Sequence, residues 1–283
     1  AVGLPPYNFG IVENKGVEME LGWNSTIGKV NYYLKGIYAF NRNKVIEKSE
    51  AAKPYPYMYE AGLPIKQFIG YQYDGFFSSY DEIASSPQQF GLTNLKPGDI
   101  KYKDINGDGI VDENDQAPIG YSTVPEMTYS LQLGASYKGF DVSVMFQGAA
   151  RSSVYLYQDL GWDNMTGNYY EEHINRWTPE TAATATYPRF LQGSKESHQN
   201  YYLSDFWLKD GKYLRLKNVM ISYTFDKKML RKTPFSSLKI FASGFNLITW
   251  DKLKKVDPEV APSSNTGYFP QQRQYNMGIN VSF

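Results

Sequence analysis

The residues with the clearest capacity for chemistry are DINGDGIVDEND, 104–115. Oxygen-bearing side chains stand at alternate positions, glycine follows the third, and an acid closes the run. Counted from Asp104, the ligand positions of a calcium loop fall on Asp104, Asn106, Asp108, Ile110 (through its carbonyl), Asp112 and Asp115, with Gly109 where the chain must turn sharply. Hard oxygen donors on one short loop suit Ca²⁺. Two features depart from a helix–loop–helix sensor. The last donor is Asp rather than the longer Glu, and Pro118 in the following QAPIG opposes an exiting helix. The spacing predicts a structural Ca²⁺ of the weak extracellular class, with a dissociation constant of about 10⁻⁴ to 10⁻³ M, bracing a loop. The alternative is an Asn/Asp/Gly turn held by its own side chains without metal.

Other reactive chemistry is sparse. Cysteine is absent, which excludes disulfides, thiolate metal sites and a cysteine nucleophile. The two histidines, His173 and His198, lie in no recognisable motif, and zinc has no ligand pair. A short helix is expected over 169–177, with His173 on a solvated face beside Glu171 and Glu172. No catalytic residue is assigned and the chain is expected not to be an enzyme; a hydrolase reading would have to rest on His173 or His198. Aromatic clusters recur at 54–59, 71–77, 155–162 and 205–210. Beside Asp and Asn, such rings suit stacking and hydrogen bonding to sugars; the simpler expectation is that most pack the loops together or sit at a membrane interface. Which residues bind substrate is left open.

The elements that must carry these loops show in the alternation of side chains. Val17, Met19, Leu21 and Trp23 share one face, opposite Glu18 and Glu20. The pattern repeats with Val30, Tyr32, Leu34, Tyr38 and Phe40; with Tyr129, Leu131, Leu133, Ala135 and Tyr137; and with Phe140, Val142, Val144 and Phe146. It returns with Val219, Ile221, Tyr223 and Phe225, less regularly over 237–250, and finally with Tyr275, Met277, Ile279, Val281 and Phe283. The opposite face is rich in Gly, Ser, Asn and Gln, which suits a water-filled lumen rather than an ordinary charged surface. Several strands reach the roughly 9–11 residues of a tilted membrane strand, longer than the five or six usual in a sandwich. No apolar run of about 18 residues exists, so no transmembrane helix is expected. Mean hydropathy is −0.50, and a sheet with one wet face can cross a membrane at that value.

Connections alternate between short turns at Gly28–Lys29 and Lys138–Gly139, a basic one at 226–237, and long stretches at about 42–127, 157–212 and 251–271. That alternation is the habit of outer-membrane barrels, short on the periplasmic side and long outside. About seven strands are expected. With an odd number, the first and last run in the same direction and cannot close an antiparallel barrel on each other. The expectation is therefore all-β: a transmembrane antiparallel barrel segment with long extracellular loops, whose remaining strands come from another chain or a missing N-terminal part. Lys and Arg number 29 and Asp and Glu 29, and this neutral balance argues against a nucleic-acid partner.

Several stretches together resemble one family. GDIKYKDINGDGIVDENDQAPIG, YPRF, SDFWLKDGKYLRLKNVMISYTF, SLKIFASGFNLITW and YNMGINVSF, in this order, are similar to the C-terminal part of SusC/RagA-type TonB-dependent transporters. DFWLKDGKYLRLKNV (205–219) is the most specific of them. The resemblance implies residues 1–283 as the C-terminal portion of a barrel of about 22 strands in the outer membrane of a Gram-negative bacterium, with the plug domain and TonB box outside this chain. It implies Phe283 as the terminal aromatic read during barrel assembly and 226–237 as the basic periplasmic turn. The implied partners are the N-terminal plug and barrel portion, a SusD-like surface lipoprotein, the TonB system through that missing portion, and membrane lipid. The implied cargo is oligosaccharide, or less favoured, peptide. The competing expectation is a secreted, calcium-braced, glycan-binding or adhesive β-protein.

Overall fold

The computed structural model describes residues 9–156, 161–163, 169–191, 198–253, 256–259 and 271–283. Strands β1 (Ile11–Ile27) and β2 (Val30–Glu47) form a long hairpin. The loop after β2 contains five short strands and a helix: β3 (Phe68–Gly70), β4 (Tyr73–Phe76), α1 (Tyr80–Ser85), β5 (Gln88–Gln89), β6 (Ile100–Tyr102) and β7 (Ile110–Val111), then β8 (Ala117–Ile119). The wall resumes with β9 (Met127–Tyr137) and β10 (Phe140–Ala150). A second loop carries β11 (Ser153–Tyr155) and β12 (Leu208–Asp210), which pair with each other. Then come β13 (Tyr213–Thr224), α2 (Lys227–Leu230), β14 (Ser237–Asp251) and β15 (Gln274–Ser282).

Seven strands make one antiparallel sheet in the order β1-β2-β9-β10-β13-β14-β15, each wall strand beside its neighbours in sequence. The register keeps every apolar set on the same face. One row across the sheet runs Trp23, Leu34, Leu133, Val144, Val219, Gly244, Tyr275; another runs Ile27, Val30, Tyr137, Phe140, Tyr223, Ile240, Ile279. Adjacent rows on the other face read Asn24, Tyr33, Gly134, Ser143, Met220, Ser243, Asn276 and Thr26, Asn31, Ser136, Asp141, Ser222, Phe241, Gly278. A one-residue slip anywhere would invert a strand, so the shared face fixes the register.

The bare apolar face belongs to a membrane wall. Trp23, Met277, Ile279 and Tyr275 are exposed, with Met277 at 89 %. An uncovered apolar surface across seven strands suits lipid and not water. This removes the ground for a secreted, water-soluble β-protein. The chain is a transmembrane antiparallel β-barrel segment.

The structure lengthens β1, β2 and β13 beyond their expected spans and explains the irregular β14. β13 begins at Tyr213 rather than near 218, because register shifts between Leu216 and Asn218 against β14 and between Met145 and Phe146 against β10. Lys217 is the inserted residue. It moves the outward set from Leu214 and Leu216 to Val219, Ile221 and Tyr223, an even-to-odd change that hides the strand from a period-two reading. Opposite it, Asn246 at φ 52° bulges β14. At the short-turn end, Lys138 and Gly139 have φ of 47° and 88°, the two positive values that a tight hairpin turn requires.

The two faces predict opposite tolerances. Val144→Arg, near the middle of β10 on the outward face, should destabilise the assembled barrel by about 2–4 kcal/mol, whereas Ser143→Arg, facing the lumen, should assemble near normally. Heat-modifiability of the whole assembled barrel on gels, followed by urea titration, measures both; equal effects from the two would contradict the assigned faces.

Candidate functional site

Above the long-loop end of the wall, the first two long loops fold into one layer. The short ribbons β3–β8, β4–β6 and β5–β7 shape the first loop. It is joined to the second by backbone bonds from Tyr71 N–H to the Leu203 carbonyl (2.9 Å) and from Asp205 N–H to the Tyr71 carbonyl (3.2 Å). Tyr71, Ile100, Tyr102, Val111, Trp162, Tyr187, Tyr201 and Trp207 form its core, so the layer has an apolar centre of its own, separate from the wall. The rings meet mostly edge to face or tilted, as Phe206 on Trp207 at 4.8 Å and Tyr71 on Phe90 at 5.0 Å. Their polar tips find partners: Tyr102 Oη donates to the Gln199 carbonyl and Trp207 Nε1 to that of Asn200.

Most of the aromatic clusters therefore pack the layer. Tyr71, Tyr73, Phe76 and Phe77 of 71–77, Tyr155 and Trp162 of 155–162, and Phe206 and Trp207 of 205–210 are buried or half-buried. In 54–59, Tyr55 and Tyr57 stack at 5.4 Å, and the Tyr57 hydroxyl donates to the Asn114 carbonyl. Tyr80, Tyr121 and Tyr169 stay exposed on the loop surface. An open cleft of about 630 Å³ is lined by Tyr71, Phe90, Tyr202, Asp112, Glu113 and Gln116, with the Gln116 amide donating to the Tyr71 hydroxyl.

A buried ion pair holds the layer's centre. Asp99 is fully buried; its carboxylate lies 2.7 Å from Arg189 Nε and accepts from Arg189 Nη2, Asn200 Nδ2 and the Lys96 N–H. Asn200 also accepts from the Ile100 N–H. His198 sits 3.9 Å from Asp99, and burial holds its imidazole below the ordinary range, with Asp99 opposing that shift and Arg189 adding to it. At the rim, Glu82 accepts from Lys101 and from the Ser78 N–H and hydroxyl, which bring its carboxyl down to about 2.

His173 corrects an expectation. The 169–177 segment holds a 3₁₀ turn, Glu171–Asn175, and His173 is 2 % exposed rather than solvated. It packs 4.5 Å from the Tyr187 ring, and its Nδ1 accepts the Tyr170 N–H. Its contacts are those of a packed core residue.

The 104–115 loop is drawn inward by its own backbone. Asp104 accepts from the Gly107 and Gly109 N–H groups, Asn106 from Asp108, Asp108 from Ile110, and Asp112 from Asn114. Gly109, at φ 87°, supplies the turn. Asp115 is fully buried and accepts from Ile105, Asn106 and Asp112 as part of a capping box. Among the described residues no three His, Cys, Asp or Glu side chains are grouped so as to hold a metal ion. In this conformation the side-chain oxygens of the loop accept from its own backbone.

Two charged latches tie loops to the wall. Glu126 receives Arg42 and Arg151 at the neck of the first loop. Arg215, 1 % exposed on the lumen face, meets Asp257 at 2.6 Å and Glu259 at 3.1 Å, and Lys217 joins Glu259. Neither latch was expected from sequence, because their partners lie tens of residues apart. Arg215 and Lys217 in LRLKN were legible only as charges inside an apolar strand.

Comparison with known proteins places this arrangement. The chain is 27 % identical over 98 % of its length to "TonB-dependent receptor P26" of Formosa agariphila and 23 % identical over 98 % to "TonB-dependent receptor SusC" of Bacteroides thetaiotaomicron. It is thus similar over nearly its whole length to proteins named TonB-dependent receptors. It spans 30 % of the length of the first of these relatives and 27 % of the second. The structure of the RagAB peptide importer in its open-open state superposes with a TM-score of 0.72 at 21 % identity, over 97 % of this chain and 29 % of that one, and so shares the fold. No protein-family model matches the chain.

The buried pair at Asp99 gives the loop layer a testable keystone. Asp99→Ala leaves Arg189 and Asn200 facing an apolar centre and should destabilise the loop layer by about 3–5 kcal/mol. Limited proteolysis of the whole assembled barrel should then cut within the loops at 60–125 or 170–206 while the wall strands stay protected; cleavage at the wild-type rate would show that Asp99 does not hold the layer.

Proposed function

We propose that this chain is the C-terminal part of the wall and outer loops of an energised outer-membrane importer, placed in the outer membrane of a Gram-negative bacterium. The observation that carries the reading is the continuous apolar face of the seven-stranded sheet backed by a small-polar lumen face. The reading is supported by similarity to proteins named TonB-dependent receptors over nearly the whole chain. The remaining strands and the plug would come from residues outside this chain, as would contact with TonB. A SusD-like lipoprotein would close over the loop layer, and Phe283, 85 % exposed at the sheet's edge, would serve as the assembly signal.

The proposed cargo is oligosaccharide. The cleft lined by Phe90, Tyr202, Asp112 and Glu113 brings aromatic rings and carboxylates together, a combination suited to sugar hydroxyls. Peptide is the second reading, favoured by the fold shared with the RagAB peptide importer. No chemistry on the cargo is assigned to this chain. Deleting the receptor gene in its host should abolish uptake of a fluorescent oligosaccharide, and an uncoupler should do the same to wild type. Uptake that survives both treatments would remove the importer reading, whereas loss of only oligopeptide uptake would decide for the second cargo.

Calcium at Asp104, Asn106, Asp108, Ile110, Asp112 and Asp115 is part of the proposal and rests on residue spacing. Binding would require these side chains to exchange some backbone hydrogen bonds for the ion. Asp115, buried with both oxygens on backbone N–H groups, has the most such bonds to exchange. Adding 5 mM Ca²⁺, about ten times a weak-class dissociation constant, to chelator-treated receptor should raise loop-layer stability by about 1.4 kcal/mol, and Asp108→Ala should cancel the gain. An unchanged melting profile would leave the self-bonded turn as the whole account.

A further inference from the structure

We infer that the short-turn rim of the wall carries a binding site for an anionic phospholipid of the adjoining membrane leaflet. The inference rests on the membrane-spanning reading above. The outward face is concave between β10, β13, β14 and β15: a groove of about 580 Å³ is lined by Phe140, Ile221, Tyr223, Ile240, Met277 and Ile279. Ala242 makes its floor, since it stands in a row between Ile221 and Met277 and has only a methyl group to fill the space. The volume is in the range of a single acyl chain, and the walls are apolar.

An aromatic band marks the depth. Tyr137, Phe140 and Tyr223 lie in one row at the turn end of the sheet, with Phe225 packed on Tyr223 at 4.9 Å and Phe235 on Phe283 at 5.5 Å. Such bands sit at the boundary between hydrocarbon and headgroups. Just beyond it comes α2, whose Met229 sulfur receives the Tyr223 hydroxyl at 3.8 Å, so the helix stands at the mouth of the groove. Lys227, Lys228, Arg231 and Lys232 are exposed on this turn, and among the described residues none of them has a carboxylate within 4.0 Å. Asp226 is the turn's one acid, and it is spent capping α2 through the Lys228 N–H. The chain as a whole is neutral, so four cations beside one acid are a local concentration. Lys29 and Lys138 extend it along the other two short turns.

An apolar groove opening into a headgroup layer beneath unpaired cations is complementary to one ligand class: a lipid with an acyl chain and a net-negative phosphate head. A zwitterionic lipid of the same chains would fill the groove but leave the cations without a counter-charge. Clusters of Lys and Arg at a membrane surface draw anionic lipid in this way, and the attraction weakens with salt.

The test uses the whole receptor, delipidated in detergent and examined by native mass spectrometry with phosphatidylglycerol or phosphatidylcholine of identical acyl chains. Phosphatidylglycerol should be retained about tenfold more than phosphatidylcholine. K227Q/K228Q/R231Q/K232Q should level the two, and A242W, which fills the groove, should shorten retention of both. Equal retention of the two lipids by wild type would overturn the proposal, as would a preference untouched by the four glutamines. Heat-modifiability of each variant shows whether it still forms a barrel. A wild-type receptor that is soluble without detergent would instead defeat the membrane reading itself, so the two failures are distinguishable.

Discussion

The wall is governed by one constraint: within hydrocarbon no backbone amide can turn to water. Every N–H and C=O there must be answered by a neighbouring strand. Seven strands answer one another in an unbroken antiparallel series, and the demand is left open at β1 and β15. Both edge strands are long and exposed on both faces, 17 and 9 residues of it. Isolated, such edges invite uncontrolled pairing. Within a closed barrel they are the seams by which this segment joins the remaining strands. The same constraint explains why the bulge at Lys217 and Asn246 is tolerated only where neighbouring residues absorb it. The insertions on β13 and β14 oppose each other, and the pairing resumes on both sides with the apolar face intact.

The loop layer obeys a different rule. It stands in water, so it needs a core, and it builds one from rings rather than aliphatic side chains. Rings bring large buried area, and their hydroxyl and indole groups satisfy carbonyls that irregular loops would otherwise leave bare. Gln89 shows the same economy in miniature. Its side-chain amide exchanges two hydrogen bonds with the backbone of Tyr102, acting as a strand partner where no strand is available. Asp163 gathers the hydroxyls of Tyr187 and Tyr201 in the same manner.

How much of this was legible depended on the range of the interaction. The wall strands were, because a period of two with one greasy face is a local signal repeated seven times. The start of β13 was not, since one inserted lysine inverts the period. The ribbons β3 to β8 were not, being two to four residues long, too short to show any period. In the loops, residue types suggested rings and acids but not which would be buried. His173, flanked by two glutamates, looks solvated by its neighbours in sequence and is buried by its neighbours in space. Asp99 and Arg189 are 90 residues apart, and no pattern in the chain announces their pairing. The 104–115 loop was recognised as a turn-forming unit, and its self-bonded geometry agrees with that half of the reading.

The latches connect the two regimes. Arg215 belongs to the wall by its strand and to the loop by its partners Asp257 and Glu259; Glu126 similarly gathers Arg42 from β2 and Arg151 from the end of β10. A buried ion pair contributes little net stability over an apolar one, but it is unforgiving of displacement, because separating the charges leaves each desolvated and unpaired. The Arg215 pair is of this kind where the chain leaves β14, whereas Arg42 and Arg151 are partly exposed and hold the buried Glu126 less strictly. Since the first and second loops are also zipped together through Tyr71, Leu203 and Asp205, a force on either is delivered to both. The arrangement favours a layer that keeps its internal geometry and is fixed to the sheet at a few charged points.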